Sequence, residues 1–267
     1  MHNLFAGNEK TDLESHLQRL FFILGAGRSG TQMLSGLLNL DAKAMVLHEP
    51  RFLEDRATRN LARKSKLDAI DYVGSYLYSN ICDAVRDRNC SVYGEVSGTL
   101  RYHVEALLTV FKDADFFILA RDGRDVVRSI MSFDFYTETS DPDGDTAPLP
   151  GDPHYLNWGG YGRFERVCWL WADSYVELLK YLPPDQIVFF EKMISDYDYC
   201  DKKLLQKLGI EVTRDEWAGY MSRKSPNARK FHSYPHWKDW RPEDRDSFDT
   251  ICGAVMEQLG YHYHWET

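Results

Sequence analysis

The chain has 267 residues, of which 43% are hydrophobic and 14% aromatic, enough for one domain with a substantial core. Its formal net charge of −9 disfavours nucleic acid as a partner, and also a long polyanionic sugar unless a basic stripe is hidden in the fold. Five scattered cysteines without a Cys-x-x-Cys pair suggest a reducing cytoplasm and no structural metal.

The N-terminal segment, residues 1–19, is polar and lacks the apolar core of a secretory signal peptide. The longest apolar run of the chain is far too short to cross a bilayer, so no membrane span is expected. These features predict a single domain over residues 1–267 in the cytoplasm, and they leave the oligomeric state open.

The first informative element is an apolar run from Leu20 to Leu24, typical of a strand covered on both faces. A glycine-rich turn follows, and helical periodicity resumes at Thr31. Unpaired amides at a helix N-terminus attract anions, and Arg28 adds a permanent charge, although an ordinary turn with a solvated arginine is the alternative. The residues that this loop would offer to an oxyanion are Gly27, Arg28, Ser29, Gly30, Thr31 and Gln32.

The loop is not a Walker A motif, because Thr31 follows Gly30 directly and no lysine is placed to reach a terminal phosphate. No apolar run with a convincing magnesium-holding aspartate follows it either. ATP with magnesium is therefore disfavoured as the ligand.

A second strand, turn and helix begin with the apolar run Asp115–Ala120. Arg121 closes the strand, and a helix is predicted from Arg124 to Met131. Arg121 and Ser129 could converge on one phosphate, or the segment could be a surface cluster of alternating charges. Two anion loops on one chain suggest a ligand with two separated phosphate-like groups.

Residues 134–162 form a long irregular stretch rich in aspartate and proline, typical of a lid or of disorder. Its position after the second anion helix predicts an acceptor-side lid, and its aspartates would suit a neutral or cationic acceptor; an acidic surface loop is the alternative. Four aromatic residues could offer apolar faces to the acceptor: Tyr136, Tyr155, Trp158 and Tyr161. Two further helices are predicted, over Phe164–Leu182 and Asp246–Leu259.

Together the two anion loops resemble those of the sulfotransferase family. Gly25–Thr31 (GAGRSGT) is similar to its loop for the 5′-phosphosulfate, and residues 121–129 (RDGRDVVRS) to its 3′-phosphate motif. Trp169–Tyr175 and Ile187–Asp196 resemble later family segments, so the likeness spans about residues 20–260. It implies an α/β fold of the P-loop type, with a mainly parallel central sheet flanked by helices.

The resemblance also implies an activity, the transfer of a sulfuryl group from 3′-phosphoadenosine 5′-phosphosulfate to a hydroxyl or amine without a metal ion. The acceptor would be a small molecule, a carbohydrate or a lipid. Arg121 and Ser129 would hold the 3′-phosphate, and the loop from Gly27 to Gln32 the 5′-phosphosulfate. Arg28 stands where cytosolic members usually have lysine, and arginine hardly loses a proton, so its implied role is electrostatic stabilisation of the leaving group.

Three residues are candidates for the general base that takes the acceptor's proton. Glu49 is the first, because Val46–Leu53 resembles the glutamate-bearing stretch of Golgi-type and some bacterial members; an exposed loop carboxylate is the alternative. Glu95 follows a short predicted strand, and His103 lies eighteen residues before Arg121, near where cytosolic members have a histidine.

Near the C-terminus, Arg229 and Lys230 resemble the basic pair that closes over the cofactor's 3′-phosphate in cytosolic members, although no glycine follows them here. Two other functions stay open from the sequence. A P-loop kinase of small molecules would bind ATP with magnesium, and a non-catalytic nucleotide-binding module would bind the cofactor without forming product.

Overall fold

The structure is a computed structural model that describes residues 17–88, 90–140, 146–223, 234–262 and 265. Arg229 and Lys230 lie outside these residues. Within the described part, no helix is both long enough and apolar enough to cross a membrane.

A five-stranded, all-parallel sheet forms the centre of the described structure. Its strands are β1 (Arg19–Gly25), β2 (Ala44–His48), β3 (Val92–Ser97), β4 (Asp115–Ala120) and β5 (Ile187–Phe189). They lie side by side in the order β2-β3-β1-β4-β5. The predicted α/β fold with a parallel central sheet is confirmed.

Helices cover both faces of this sheet. They are α1 (Thr31–Leu38), α2 (Phe52–Lys64), α3 (Lys66–Asp71), α4 (Tyr78–Arg88), α5 (Val104–Val110), α6 (Gly123–Ile130), α7 (Arg163–Leu179), α8 (Phe190–Ser195), α9 (Tyr197–Cys200), α10 (Gln206–Leu208), α11 (Arg214–Met221) and α12 (Pro242–Gln258). Short π-helical turns span Tyr72–Leu77 and Asp201–Leu205, and 3₁₀ turns span Thr99–His103, Trp158–Gly160, Pro184–Gln186 and Trp237–Asp239.

The apolar run of β1 is buried on both of its faces. Phe22 and Leu24 pack into the core that also holds α7 and α12. Phe21 and Ile23 point the other way, into the core under α1. Side chains of a strand alternate between faces, so a continuous apolar run suits only a strand with helices on both sides.

The predicted helices exist with slightly different ends. The second anion helix is α6, which starts at Gly123 because the Asp122 side chain accepts a hydrogen bond from the Arg124 amide at 2.9 Å. The predicted Phe164–Leu182 helix is α7, which ends at Leu179. The last helix, α12, begins four residues before the predicted Asp246, at Pro242, where proline suits the first helical turn.

The strand order brings the loops that carry Arg28, Glu49 and Arg121 to one end of the sheet. From β1 the chain crosses to β2 on one side of it, and later to β4 on the other side. Ligands of parallel α/β sheets bind in the crevice that opens at such a reversal, beyond the carboxyl ends of the strands. The loops that follow β1, β2, β3 and β4 all meet at this end.

Candidate active site

A cavity of about 500 Å³ opens at the carboxyl ends of the strands. The loops after β1, β2, β3 and β4 line it, together with α2, α6 and part of α7. Both predicted anion loops therefore border the same cavity.

The β1 loop has the close turn that the glycine pattern predicted. Gly30 has φ 100°, and a Cβ there would come within 2.2 Å of the Phe190 ring. Only glycine avoids both the left-handed backbone penalty and that clash. A Cβ at Gly27, by contrast, would meet nothing within 4 Å, so this position borders open space.

Arg28 and Arg121 lie side by side. Arg121 donates a hydrogen bond to the Arg28 carbonyl at 3.0 Å, and its guanidinium stacks on Phe190 at 4.7 Å. Arg28 donates from Nε to the Ser129 hydroxyl at 3.2 Å and stacks on Phe133 at 4.5 Å. The two anion loops are therefore in direct contact.

Not every residue of the β1 loop presents its side chain to the cavity. Ser29 is fully buried and does not line the cavity, because its hydroxyl packs against Gly25, where a Cβ would approach it to 2.9 Å. The structure thus places this hydroxyl away from the cavity, unlike the sequence expectation. Gln32 and Thr31 line the cavity, with the Thr31 hydroxyl 2.9 Å from Nε2 of His48.

Glu49 lies in the cavity, directly after β2. One carboxylate oxygen accepts a hydrogen bond from the Gly98 amide at 3.0 Å, and the other lies 3.9 Å from Nε2 of His48. Its backbone has φ 44°, in the left-handed region. The loop after β3 therefore fixes the direction of this carboxylate.

His48 is a cavity residue that the sequence reasoning missed, although it stands next to Glu49. Burial lowers the pKa of His48, and the neighbouring Glu49 carboxylate partly offsets that effect. A neutral imidazole here can either donate a hydrogen bond to the Thr31 hydroxyl or accept one from it, depending on its tautomer. Its position at the end of β2 was the sequence signal that could have identified it.

Glu95, the second candidate base, does not line the cavity. It is fully buried, forms an ion pair with Arg51 and accepts a hydrogen bond from the Tyr93 hydroxyl at 2.7 Å. Arg51 also lies 3.8 Å from Asp55, whose pKa burial raises to about 7. This buried cluster links the start of α2 to β3, just after Glu49 in the chain.

His103, the third candidate, also lies outside the cavity lining. It is 1% exposed, and its Nε2 is 3.1 Å from the Thr58 hydroxyl. Burial, with the Arg101 charge beside it, lowers the pKa of His103 to about 4. In this position it packs the 3₁₀ turn against α2.

The irregular stretch contributes only part of its length to the cavity. Phe135 and Thr146 line it. The aromatic residues named as acceptor faces do not: Trp158 packs on Trp169 at 5.0 Å, and on Tyr136 and Tyr161. Asp141, Asp143 and Asp145 lie outside the described residues.

The cavity is strongly basic although the chain is acidic. Among the described residues, two carboxylates line it, Glu49 and Asp125. Six arginines line it: Arg28, Arg56, Arg59, Arg101, Arg121 and Arg128. The hidden basic stripe that the net charge left open is therefore present, and it favours an anionic ligand.

Known proteins resemble this chain in fold rather than in sequence. A sulfotransferase of Mycobacterium avium covers 95% of this chain with 80% of its own length, at 14% identity and a TM-score of 0.52. The chain has the sulfotransferase fold. A sulfotransferase of Alicyclobacillus acidocaldarius matches 94% of this chain at 15% identity, with a TM-score of 0.49.

No sequence model of a protein family matches the chain, and no curated protein matches it in sequence. The likeness to known proteins is therefore a likeness of fold alone, in the sheet and its flanking helices. The function must be argued from the cavity itself.

Proposed function

We propose that this chain transfers a sulfuryl group from 3′-phosphoadenosine 5′-phosphosulfate to a hydroxyl, or an amine, of an acceptor by in-line displacement. The observation that supports it is the meeting of two cationic loops, at the carboxyl ends of β1 and β4, in one cavity that also holds a carboxylate. The proposal covers the chain as one domain, acting in the cytoplasm.

The residues of the two loops fit a donor with two anionic ends. Gly27 leaves open space beside the backbone amides of the β1 loop. The Nε of Arg121 is buried and has no hydrogen-bond partner among the described residues. Its N–H group is therefore left for a ligand to accept from. We assign the 5′ end of the donor to Gly27, Arg28, Gly30, Thr31 and Gln32, and its 3′-phosphate to Arg121 and Ser129.

Arg28 would stabilise the charge that develops on the leaving group. Its guanidinium is held by Ser129 and by the Phe133 ring, so it is oriented before the reaction begins. The donor supplies a sulfuryl group already activated by its bond to phosphate, and the reaction as proposed needs no metal ion because arginines and amides supply the positive charge.

Glu49 would accept the proton of the attacking hydroxyl. The Gly98 amide holds one of its oxygens, which leaves the other oxygen beside His48 available to a proton. The place of Arg229 and Lys230 over the 3′-phosphate stays a prediction from the sequence.

The assignment of the 3′-phosphate is tested by Arg121→Ala. We expect the affinity for adenosine 3′,5′-bisphosphate to fall about 10- to 100-fold, the size of a charge-assisted hydrogen bond. The affinity for adenosine 5′-monophosphate, which lacks the 3′-phosphate, should change about twofold at most. Titration calorimetry with both nucleotides measures the two affinities.

Arg124→Ala is the matched control for this test, because Arg124 belongs to the same motif but pairs with Asp122 at 2.7 Å and stacks on Trp237 outside the cavity. It should not discriminate between the two nucleotides. An equal loss of affinity for both nucleotides in Arg121→Ala would remove Arg121 from the 3′-phosphate site.

A further inference from the structure

A second pair of arginines lies in the cavity, apart from the two anion loops. Arg59 comes from α2 and Arg101 from the 3₁₀ turn after β3. Both line the cavity, and they are only 5% and 6% exposed. Neither residue has a role in holding the proposed donor.

Neither guanidinium forms an ion pair with a carboxylate in the described part of the chain. Nε and one terminal nitrogen of Arg59 are buried without a hydrogen bond, as is Nε of Arg101. The terminal nitrogens of Arg101 donate to the Gly98 carbonyl and, at 3.4 Å, to the Tyr102 hydroxyl, which are neutral groups. Asp173 interacts with Arg101 only electrostatically. Its direct contacts are with the Tyr102 hydroxyl at 2.6 Å and with Arg63 at 3.7 Å.

Other well-buried arginines of this protein do have carboxylate partners. Arg51 pairs with Glu95, Arg63 with Asp173, and Arg124 with Asp122. A buried charge that is left without an ionic partner is strongly destabilising. Burial, and then the Arg101 charge, lower the pKa of Arg59 to about 10, as expected for a cation that lacks a counter-charge.

The order of the strands separates this pair from the donor loops. Arg28 and Arg121 follow β1 and β4, whereas Arg101 follows β3 and Arg59 lies in the helix after β2. Glu49 also follows β2, so the proposed base lies on the side of the cavity that holds Arg59 and Arg101. That is the side where an acceptor must place its hydroxyl.

One more polar group points to a ligand on this side. The Thr146 hydroxyl is 1% exposed, lines the cavity, and has no hydrogen-bond partner among the described residues. The Thr146 carbonyl accepts from the Tyr136 hydroxyl at 2.5 Å, and Tyr136 in turn interacts electrostatically with Arg59. Thr146 therefore adds a donor near the arginine pair.

We propose that Arg59 and Arg101 bind an oxyanion carried by the acceptor, so that the acceptors are small hydroxyl compounds with a carboxylate or phosphate group. The inference rests on the proposed sulfuryl transfer and names its acceptor class. It replaces the expectation of a neutral or cationic acceptor, which rested on the aspartates of residues 134–162. A guanidinium can bind either a carboxylate or a phosphate through two parallel hydrogen bonds. The test therefore includes acceptors that carry a carboxylate and acceptors that carry a phosphate.

The test uses matched acceptors that differ only in the anionic group. They are 4-hydroxyphenylacetate and its methyl ester, 3-hydroxydecanoate and its methyl ester, and glycerol 3-phosphate and glycerol. Transfer of labelled sulfate gives kcat and KM for each compound. We expect at least one acid or phosphate to have a KM about 10- to 100-fold below that of its neutral partner.

Arg59→Gln identifies the residue responsible. It should raise the KM for the anionic acceptor about 10- to 100-fold, and leave the KM for the neutral partner and the affinity for adenosine 3′,5′-bisphosphate unchanged. Lys64→Gln is the control, because it removes a positive charge from the exposed end of the same helix, outside this cavity. It should change none of these values.

A second measurement does not depend on turnover. The thermal shift that each compound gives to the protein, with adenosine 3′,5′-bisphosphate bound, should be larger for the anionic member of a pair and should disappear in Arg59→Gln. The inference is wrong if no anionic compound exceeds its neutral partner in either measurement, or if Arg59→Gln affects both members alike. Failure of the bisphosphate to bind would instead refute the proposed function.

Discussion

Two non-glycine residues that line the cavity have left-handed backbone, Arg28 with φ 70° and Glu49 with φ 44°. This conformation costs about 1–2 kcal/mol of conformational free energy for a residue with a side chain. Residues with such strained backbone are found most often at functional sites. Contacts from other loops hold both residues in place, namely the Arg121 guanidinium on the Arg28 carbonyl and the Gly98 amide on the Glu49 carboxylate. These two strained positions are the ones that the proposed chemistry uses.

Glu49→Gln tests the proposed base with little change of shape, since the amide oxygen can still accept from Gly98. We expect kcat for sulfuryl transfer to fall about 10²- to 10⁴-fold, the usual contribution of a general base. The dissociation constant of adenosine 3′,5′-bisphosphate should stay within about twofold. Steady-state kinetics and calorimetry measure the two quantities.

Unchanged turnover in this variant would contradict the role of Glu49. The base would then be sought at His48, which shares the cavity, rather than at Glu95 or His103, which do not line it. His48→Asn is the companion variant that would decide between the two.

At this scale the sequence predicted the residues whose backbone positions alone place them at the site. Arg28 and Arg121 lie in turns that follow continuous apolar strands, so the strand pattern was sufficient to find them, whereas Glu49 was found through the resemblance of Val46–Leu53 to a family segment. Arg59 was missed, because it reaches the cavity only through the packing of α2 on the turn after β3. The buried orientation of the Ser29 side chain depends on contact with Gly25, which a motif does not encode.

The β1 loop and the start of α1 are the elements to which we assign the 5′ end of the proposed donor. Two glycines of this loop have different surroundings, since Gly30 faces the Phe190 ring and Gly27 faces open space. The same substitution at the two positions therefore separates packing from ligand contact.

Gly30→Ala should lower the free energy of unfolding by about 2–4 kcal/mol, through left-handed strain and the clash with Phe190. Gly27→Ala should leave that free energy within about 1 kcal/mol of the parent, and weaken binding of adenosine 3′,5′-bisphosphate about tenfold or more by filling space that the donor needs. Urea denaturation and calorimetry measure the two effects. Normal nucleotide affinity in Gly27→Ala would place the donor elsewhere.

Among the elements, β1 and β4 were predicted best because each is a nearly continuous, buried apolar run. Asp115–Ala120 is observed with the predicted bounds. The start of α12 was placed too late, because its first turn is polar and exposed and carries no hydrophobic periodicity. Tyr136, Trp158 and Tyr161 of residues 134–162 pack on one another. This tertiary packing cannot be read from their sequence.

Across the whole molecule, charge is distributed unevenly. The chain carries a formal net charge of −9, yet the cavity is lined by six arginines and two carboxylates among the described residues. A cavity of low dielectric with one sign of charge concentrates anions of the opposite sign, whatever the net charge of the protein. Composition alone could not show this, because it averages the cavity with an acidic surface.

The order of the strands was likewise beyond a reading of the sequence alone. The resemblance implied a mainly parallel sheet, and the structure adds the order β2-β3-β1-β4-β5. This arrangement places Arg28 beside Arg121, and Glu49 on the side of Arg101. One cavity is therefore lined by the residues assigned to the proposed donor and by those assigned to the proposed acceptor.

The central claim, a site built for two separated anionic groups of one nucleotide, is tested most directly by titration calorimetry of the whole chain. We compare adenosine 3′,5′-bisphosphate without metal against ATP with magnesium. The account predicts that the bisphosphate binds at least about tenfold more tightly, because Arg121 and Ser129 engage its 3′-phosphate. Equal affinity, or tighter binding of ATP with magnesium, would contradict it and favour a kinase.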